Sequence, residues 1–207
     1  MGKVAKIFLM LYFLFMCVYF KVTHMDKSDL EWVSEYEVND RFIYVSDSGV
    51  DVDTMIIIKK NVRNSYWPLH WPKLGFRDYE ANASLTYIIK NRDEEIEGYI
   101  SIRKSENTVP VYVGMIFGNR YALRDCGTWP SGLQLLKNIQ TVIINNIIFT
   151  DCVIMDDSNS QIGDIPQLDY YIENYIWSKS EGLLQYTYNK GEVFTRKDIL
   201  TKGNFYE

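Results

Sequence analysis

The chain has 207 residues, 15% of them aromatic, and a net charge of −5. With 16 Tyr and 5 Trp it is too rich in large apolar rings for a disordered chain. No Lys/Arg-rich run occurs, so the clustered basic face of a nucleic-acid binder is missing and no nucleic-acid partner is expected.

The first element is the run IFLMLYFLFMCVYF, Ile7 to Phe20, uncharged and flanked by Lys3, Lys6 and Lys21. Its length fits a secretory apolar core of roughly 7–15 residues after a basic start. A relaxed membrane span needs roughly 17–25. Val4, Ala5 and Val22 lengthen the apolar part, and Lys6 and Lys21 can snorkel. No A-x-A-like cleavage site follows; Thr23 is the nearest small residue. Bulky Phe15 and Met16 argue against lipidation of Cys17, which reads as one more apolar residue of a hydrophobic helix. Residues 1–22 are therefore expected to be a signal or anchor segment, contacting a membrane through residues 4–22. Lys3, Lys6 and the terminal amine favour an N-in orientation. Cleavage and anchoring both remain open.

Residues 23–40 predict a short helix or tether, with Ser28 and Glu31 in a capping-box pattern and Leu30 and Val33 on one side. Residues 41–207 read as one β-rich domain. The short β-branched or aromatic runs RFIYVS and TMIIIKK are separated by the turn-rich DSGVDVD. Four hairpins follow. SLTYIIKN and EGYISIRK flank RDEEI, and VYVGMIF and RYALRD flank Gly118-Asn119. QTVII and IIFTDCVI flank Asn145-Asn146, and GLLQYTY and EVFTRKD flank Asn189-Lys190-Gly191. Gly, and after it Asn, accept the positive φ that such tight loops demand. Leu184, Tyr186 and Tyr188 are expected on one face, opposite Gln185 and Thr187. In GDIPQLDYYIENYIWS, Pro166 suits a helical start, while Tyr171, Glu173, Tyr175 and Trp177 alternate as in a strand. A helical turn running into a strand is expected there. The fold class is mainly β: an antiparallel, hairpin-rich sheet (sandwich, barrel or half-barrel) with a short helix before it and an N-terminal hydrophobic helix.

The stretch YIWSKSEGLLQYTYNKGEVFTRKD carries Trp177, Gly182, Leu183, Tyr186, Gly191 and Arg196. It resembles the terminal hairpins of small exported, often lipoprotein-type, bacterial proteins of uncharacterised function. The resemblance implies a bacterial cell-envelope protein; with the N-in orientation favoured by Lys3 and Lys6, the N-terminus is expected in the cytoplasm and the domain in the periplasm or exterior. It transfers no active site.

Chemistry-bearing residues are few. His24 lies beside the apolar run, so His70 is the one histidine expected within the domain, and a histidine-rich metal site or relay is hard to assemble. DCGTW is near the papain-type box, but Thr128 stands where the nucleophile belongs and His70 lies upstream. Cys126 and Cys152 form a candidate disulfide, worth roughly 3–4 kcal/mol in the chain-entropy account; the alternative is two buried thiols. No cofactor is predicted, with Ca²⁺ kept as a minor candidate. Its ligands would be Asp156, Asp157 and Asn159, although Ile162 and Leu168 break the EF-hand order. Asp47, Asp51 and Asp53 are equally suggestive. Both loops read otherwise as solvated turns. YWPLHWPKLGF offers Trp67, His70 and Trp71 as a proline-stiffened platform for a glycan or protein partner, or else as a plug of the sheet. These observations favour a non-enzymatic envelope protein acting through a protein or envelope partner. A carbohydrate-binding module and an unidentified hydrolase are the alternatives.

Overall fold

The computed structural model describes residues 6–12, 24–64, 81–90, 95–104, 112–117, 120–121, 139–156, 161–162 and 171–203. The tether comes first. Helix α1 (Lys27–Ser34) is capped by Asp26 and Asp29, not by Ser28 and Glu31. Asp29 N donates to Asp26 Oδ1 at 2.8 Å and Asp26 N to Asp29 Oδ2 at 3.0 Å. Both pairs have capping-box spacing. The earlier one prevails because it puts Met25 before the cap and Leu30 in the second turn, and both side chains join the core.

Among the described residues, twelve strands then form one antiparallel sheet. They are β1 (Arg41–Ser46), β2 (Val52–Arg63), β3 (Ala81–Lys90), β4 (Glu95–Lys104), β5 (Tyr112–Phe117) and β6 (Arg120–Tyr121). After them come β7 (Gln140–Ile144), β8 (Ile147–Met155), β9 (Gln161–Ile162), β10 (Ile172–Ser178), β11 (Gly182–Tyr188) and β12 (Val193–Arg196). A second helix, α2 (Lys197–Gly203), follows β12. The order across the sheet is β7-β8-β10-β11-β12-β1-β2-β3-β4-β5-β6-β9. All four expected hairpins are present, with Lys90 facing Glu95, Phe117 facing Arg120, Ile144 facing Ile147 and Thr187 facing Val193. Asn145 and Asn146 have φ of 50° and 63°, and Gly191 has φ of 85°, as those tight loops require.

The sheet is curled but not closed. Four strands separate Tyr87 on β3 from Trp177 on β10, which in a flat sheet would lie roughly 24 Å apart. Their ring centroids are 5.8 Å apart. The margins β7 and β9 do not pair with each other. The concave side holds the main core, built from Tyr44, Ile57, Leu85, Tyr87, Trp177 and Tyr186 among others. A smaller cluster of Ile144, Cys152, Ile176, Leu184 and Ile199 lies on the convex side, where α2 covers it.

Helix α1 lies across one open end of the roll. Asp29 pairs with Lys104 on β4 at 3.2 Å, and Glu31 with Lys179 in the β10–β11 turn at 3.2 Å. Lys60 Nζ donates to the carbonyls of Tyr36 at 2.5 Å and Ser34 at 3.3 Å, a cation at the negative end of the helix. Trp32, Val33 and Tyr36 are buried there. Tyr36 Oη occupies the place a Cβ would take at Gly182, whose φ is 82°, and accepts from Leu183 N at 3.2 Å.

Three expectations change. Leu184 faces the convex side while Leu183, Tyr186 and Tyr188 point inward, because Leu184 is the extra residue of a bulge opposite Ile176 and Trp177. A second bulge places Glu173 outside and Ile172 inside, so the inward set is Ile172, Tyr175 and Trp177. The expected N-terminal hydrophobic helix is not found: among the described residues no helix is long and apolar enough to cross a membrane. Residues 6–12 form a short helical segment. The rest of that run, and residues 163–170 where the helical turn was expected, lie outside the described residues.

Candidate functional site

Two polar constellations stand out. The first lies in the roll, at the end opposite α1. Alternation along β2 gives Asp53 the parity of Met55 and Ile57, so the pleat turns its carboxyl inward, where it is 2% exposed. Tyr186 Oη on β11 donates to Asp53 Oδ2 at 2.5 Å. Tyr186 stacks flat on Phe194, with centroids 5.3 Å apart, and Tyr44 lies 5.4 Å away on its other flank. Burial pushes the Asp53 pKa up to about 6; the Tyr186 bond opposes this, and the charges of Glu192 and Asp51 add to it. Burial and the adjacent carboxylate push the Tyr186 hydroxyl far above its ordinary value. The pair is a carboxyl that exchanges its proton near neutrality, held by a phenol that keeps its own.

The second constellation lies where β12 meets α2, with Arg196 in register with Tyr44 and so on the inner face of its strand. A pocket of about 260 Å³ lies between β8, the β10–β11 turn and α2, walled by Phe149, Asp151, Ser180, Glu181, Arg196 and Ile199 among others. Arg196 ends β12 and is 4% exposed. Its Nε donates to Asp198 Oδ1 at 2.7 Å, and one terminal nitrogen reaches Asp198 Oδ2 and Glu181 Oε2, both at 3.0 Å. The other terminal nitrogen donates to the Glu181 carbonyl. The guanidinium carbon lies 5.9 Å from the centre of the Phe42 ring. Burial works against the charge, but the bonds to Asp198 and Glu181 outweigh it and raise the pKa. Every guanidinium nitrogen is thus bonded within the chain, and an incoming anion would have to displace Asp198 or Glu181.

Beside it, Asp151 accepts from Ser178 Oγ at 2.7 Å and Ser180 N at 2.8 Å. Burial raises its pKa, but these bonds prevail and hold the carboxyl below its usual value. Ser178 Oγ also accepts from Glu181 N at 3.0 Å, so the group fastens the β10–β11 turn to β8. The neighbouring Cys152 is a buried free thiol. Burial, helped by Asp151, pushes its pKa up to about 12, so it stays protonated and a poor nucleophile.

Of the residues singled out from sequence, Trp67, His70, Trp71, Asp157, Asn159 and Cys126 lie outside the described residues. Asp156 sits half-buried just beyond β8. In the other acidic loop Asp47 is exposed and bonded to Ser48 N, whereas Asp53 turns into the core. Among the described residues, no group of three His, Cys, Asp or Glu side chains could hold a metal ion. Sequence reasoning missed Asp53–Tyr186 and the Arg196 knot. The parity of Asp53 with Met55 and Ile57 was the available signal for the first. Compared with known families, curated proteins and solved structures, the chain matches none.

Proposed function

We propose that this is a non-enzymatic protein of the bacterial cell envelope. It is exported or held at a membrane by its N-terminal apolar segment and acts through a protein or envelope partner. The N-terminus lies on the cytoplasmic side and the curled sheet in the periplasm or exterior. One observation carries the reading. Phe8 and Met10 are 71% and 67% exposed, and the whole stretch from Ile7 to Tyr12 is exposed and apolar. An apolar stretch exposed along its whole length needs an apolar environment, and none of the described residues covers it. The resemblance of residues 177–196 to exported bacterial proteins supports the reading. So does the use of Asp53, Asp151 and Arg196, whose hydrogen bonds are made within the chain.

Fractionation of cells making the full chain tests it. The protein is expected with membranes, and a variant lacking residues 1–22 in the soluble pool. Full-length protein free in cytosol would overturn the reading. Mass spectrometry of the mature N-terminus separates cleavage from anchoring.

A further inference from the structure

We propose that the domain stands on the lipid surface with the α1 end of its rolled sheet against the headgroups and the Asp53 end pointing away. This rests on the membrane reading above. The tether that follows the apolar segment belongs to the core. Met25 is 3% exposed, its N–H donates to Asn64 Oδ1 at 2.9 Å, and Asn64 Nδ2 donates to its carbonyl at 2.8 Å. Asp26 and Asp29 lock the next turn, and Trp32 and Tyr36 anchor it in the roll. The apolar stretch reaches Val22, three residues before Met25, so at most about 11 Å of chain joins lipid to core. The headgroup layer itself is about 5–7 Å deep on each side. The surface around Met25 and Asn64 therefore meets the headgroups. The β1–β2 turn lies at the other end of the twelve-residue β2, about 36 Å away.

The charge distribution agrees. Around Met25 the side chains of Lys27, Arg63 and Arg103 are exposed, and Asn82 on β3 stands between the two arginines in register. The acids Asp29, Glu31 and Glu37 at that end are paired with Lys104, Lys179 and Lys60, which leaves Asp26 and Glu35 exposed there against Lys27, Arg63 and Arg103. At the far end Asp47 N donates to the Val193 carbonyl, and the charges of Asp51 and Glu192 act together on Asp53; Lys190 is exposed in the adjoining β11–β12 turn. Anionic headgroups attract the first end and repel the second.

Photo-crosslinking of the full chain in vesicles of phosphatidylethanolamine and phosphatidylglycerol tests the orientation. Benzoylphenylalanine is placed at Lys27 or Arg63, and at Ser48 or Lys190 on the far end; all four positions are exposed. Lipid adducts from positions 27 and 63, at least tenfold above those from 48 and 190, are the expected result. Vesicle flotation with equal adducts, or with adducts mainly from 48 and 190, overturns the orientation and leaves the membrane reading standing. A full chain that does not float with vesicles overturns both.

Discussion

At Asp53 one carboxyl ties the chemistry of the interior to pH. Its pKa is near 6 in the folded chain, against an ordinary 3.8. The folded state holds this proton more tightly than the unfolded chain does. The resulting stabilisation is fully present below about pH 4 and is lost as pH rises through about 6. With allowance for solvent at the open end of the roll, it amounts to on the order of 1–2 kcal/mol. Asp53→Asn keeps an acceptor for Tyr186 Oη and removes the titration. The variant should melt at about the parent's temperature near pH 4 and a few degrees above it at pH 7.5. Parallel melting curves across that range would show that Asp53 does not titrate between the two. Alternation made the inward side of Asp53 readable in the sequence, because Met55 and Ile57 share it. Its partner was not readable, since Tyr186 lies 133 positions away and only the curl brings them together.

Among the elements, hairpins were legible, and faces were not where a bulge interrupts the strand. A two-residue Asn-Asn loop between β-branched runs announces itself, because few residues accept positive φ twice in succession. A bulge has no comparable signature. Leu184 and Glu173 are ordinary strand residues, and the face inversion follows from how many partners the neighbouring strand supplies. The β7–β8 loop also does a second job. Asn145 Nδ2 donates to the carbonyls of Ile199 at 3.1 Å and Leu200 at 3.0 Å, pinning α2. The two asparagines should therefore respond oppositely to glycine. Asn146→Gly relieves a left-handed backbone and should stabilise by about 0.5–1 kcal/mol. Asn145→Gly gives the same relief but frees α2, and should destabilise by about 1 kcal/mol net. Urea denaturation of the two variants checks this; shifts of the same sign would mean that the link to α2 carries no weight.

At the scale of the whole molecule, the tether is a structural member. Deletion through Thr23 should leave a cooperatively folding domain, because Met25 and everything after it remain. Deletion through Tyr36 removes Met25, Trp32, Val33 and Tyr36 from the core and should leave no cooperative melt. Equal melting temperatures for the two truncations would contradict the plug. The route taken between β8 and β10 has a further consequence. The chain leaves β8 at Met155, joins β6 at Gln161 on the far margin, and is back in β10 by Ile172. Met155 and Gln161 are six residues apart, a reach of at most about 22 Å, whereas β8 and β9 would be about 48 Å apart in a flat sheet. The excursion is a stitch across the seam. The stitch joins Tyr121 to Gln161, whereas the β1–β12 ladder joins Tyr44 to Arg196 and closes a far longer loop, so the larger closure entropy falls on the pairing of β12 with β1. The folding rate is then set by that closure, while stability is set by the aromatic core. Loosening the β1–β12 ladder would slow the chain's arrival in the native state more than it would hasten its departure.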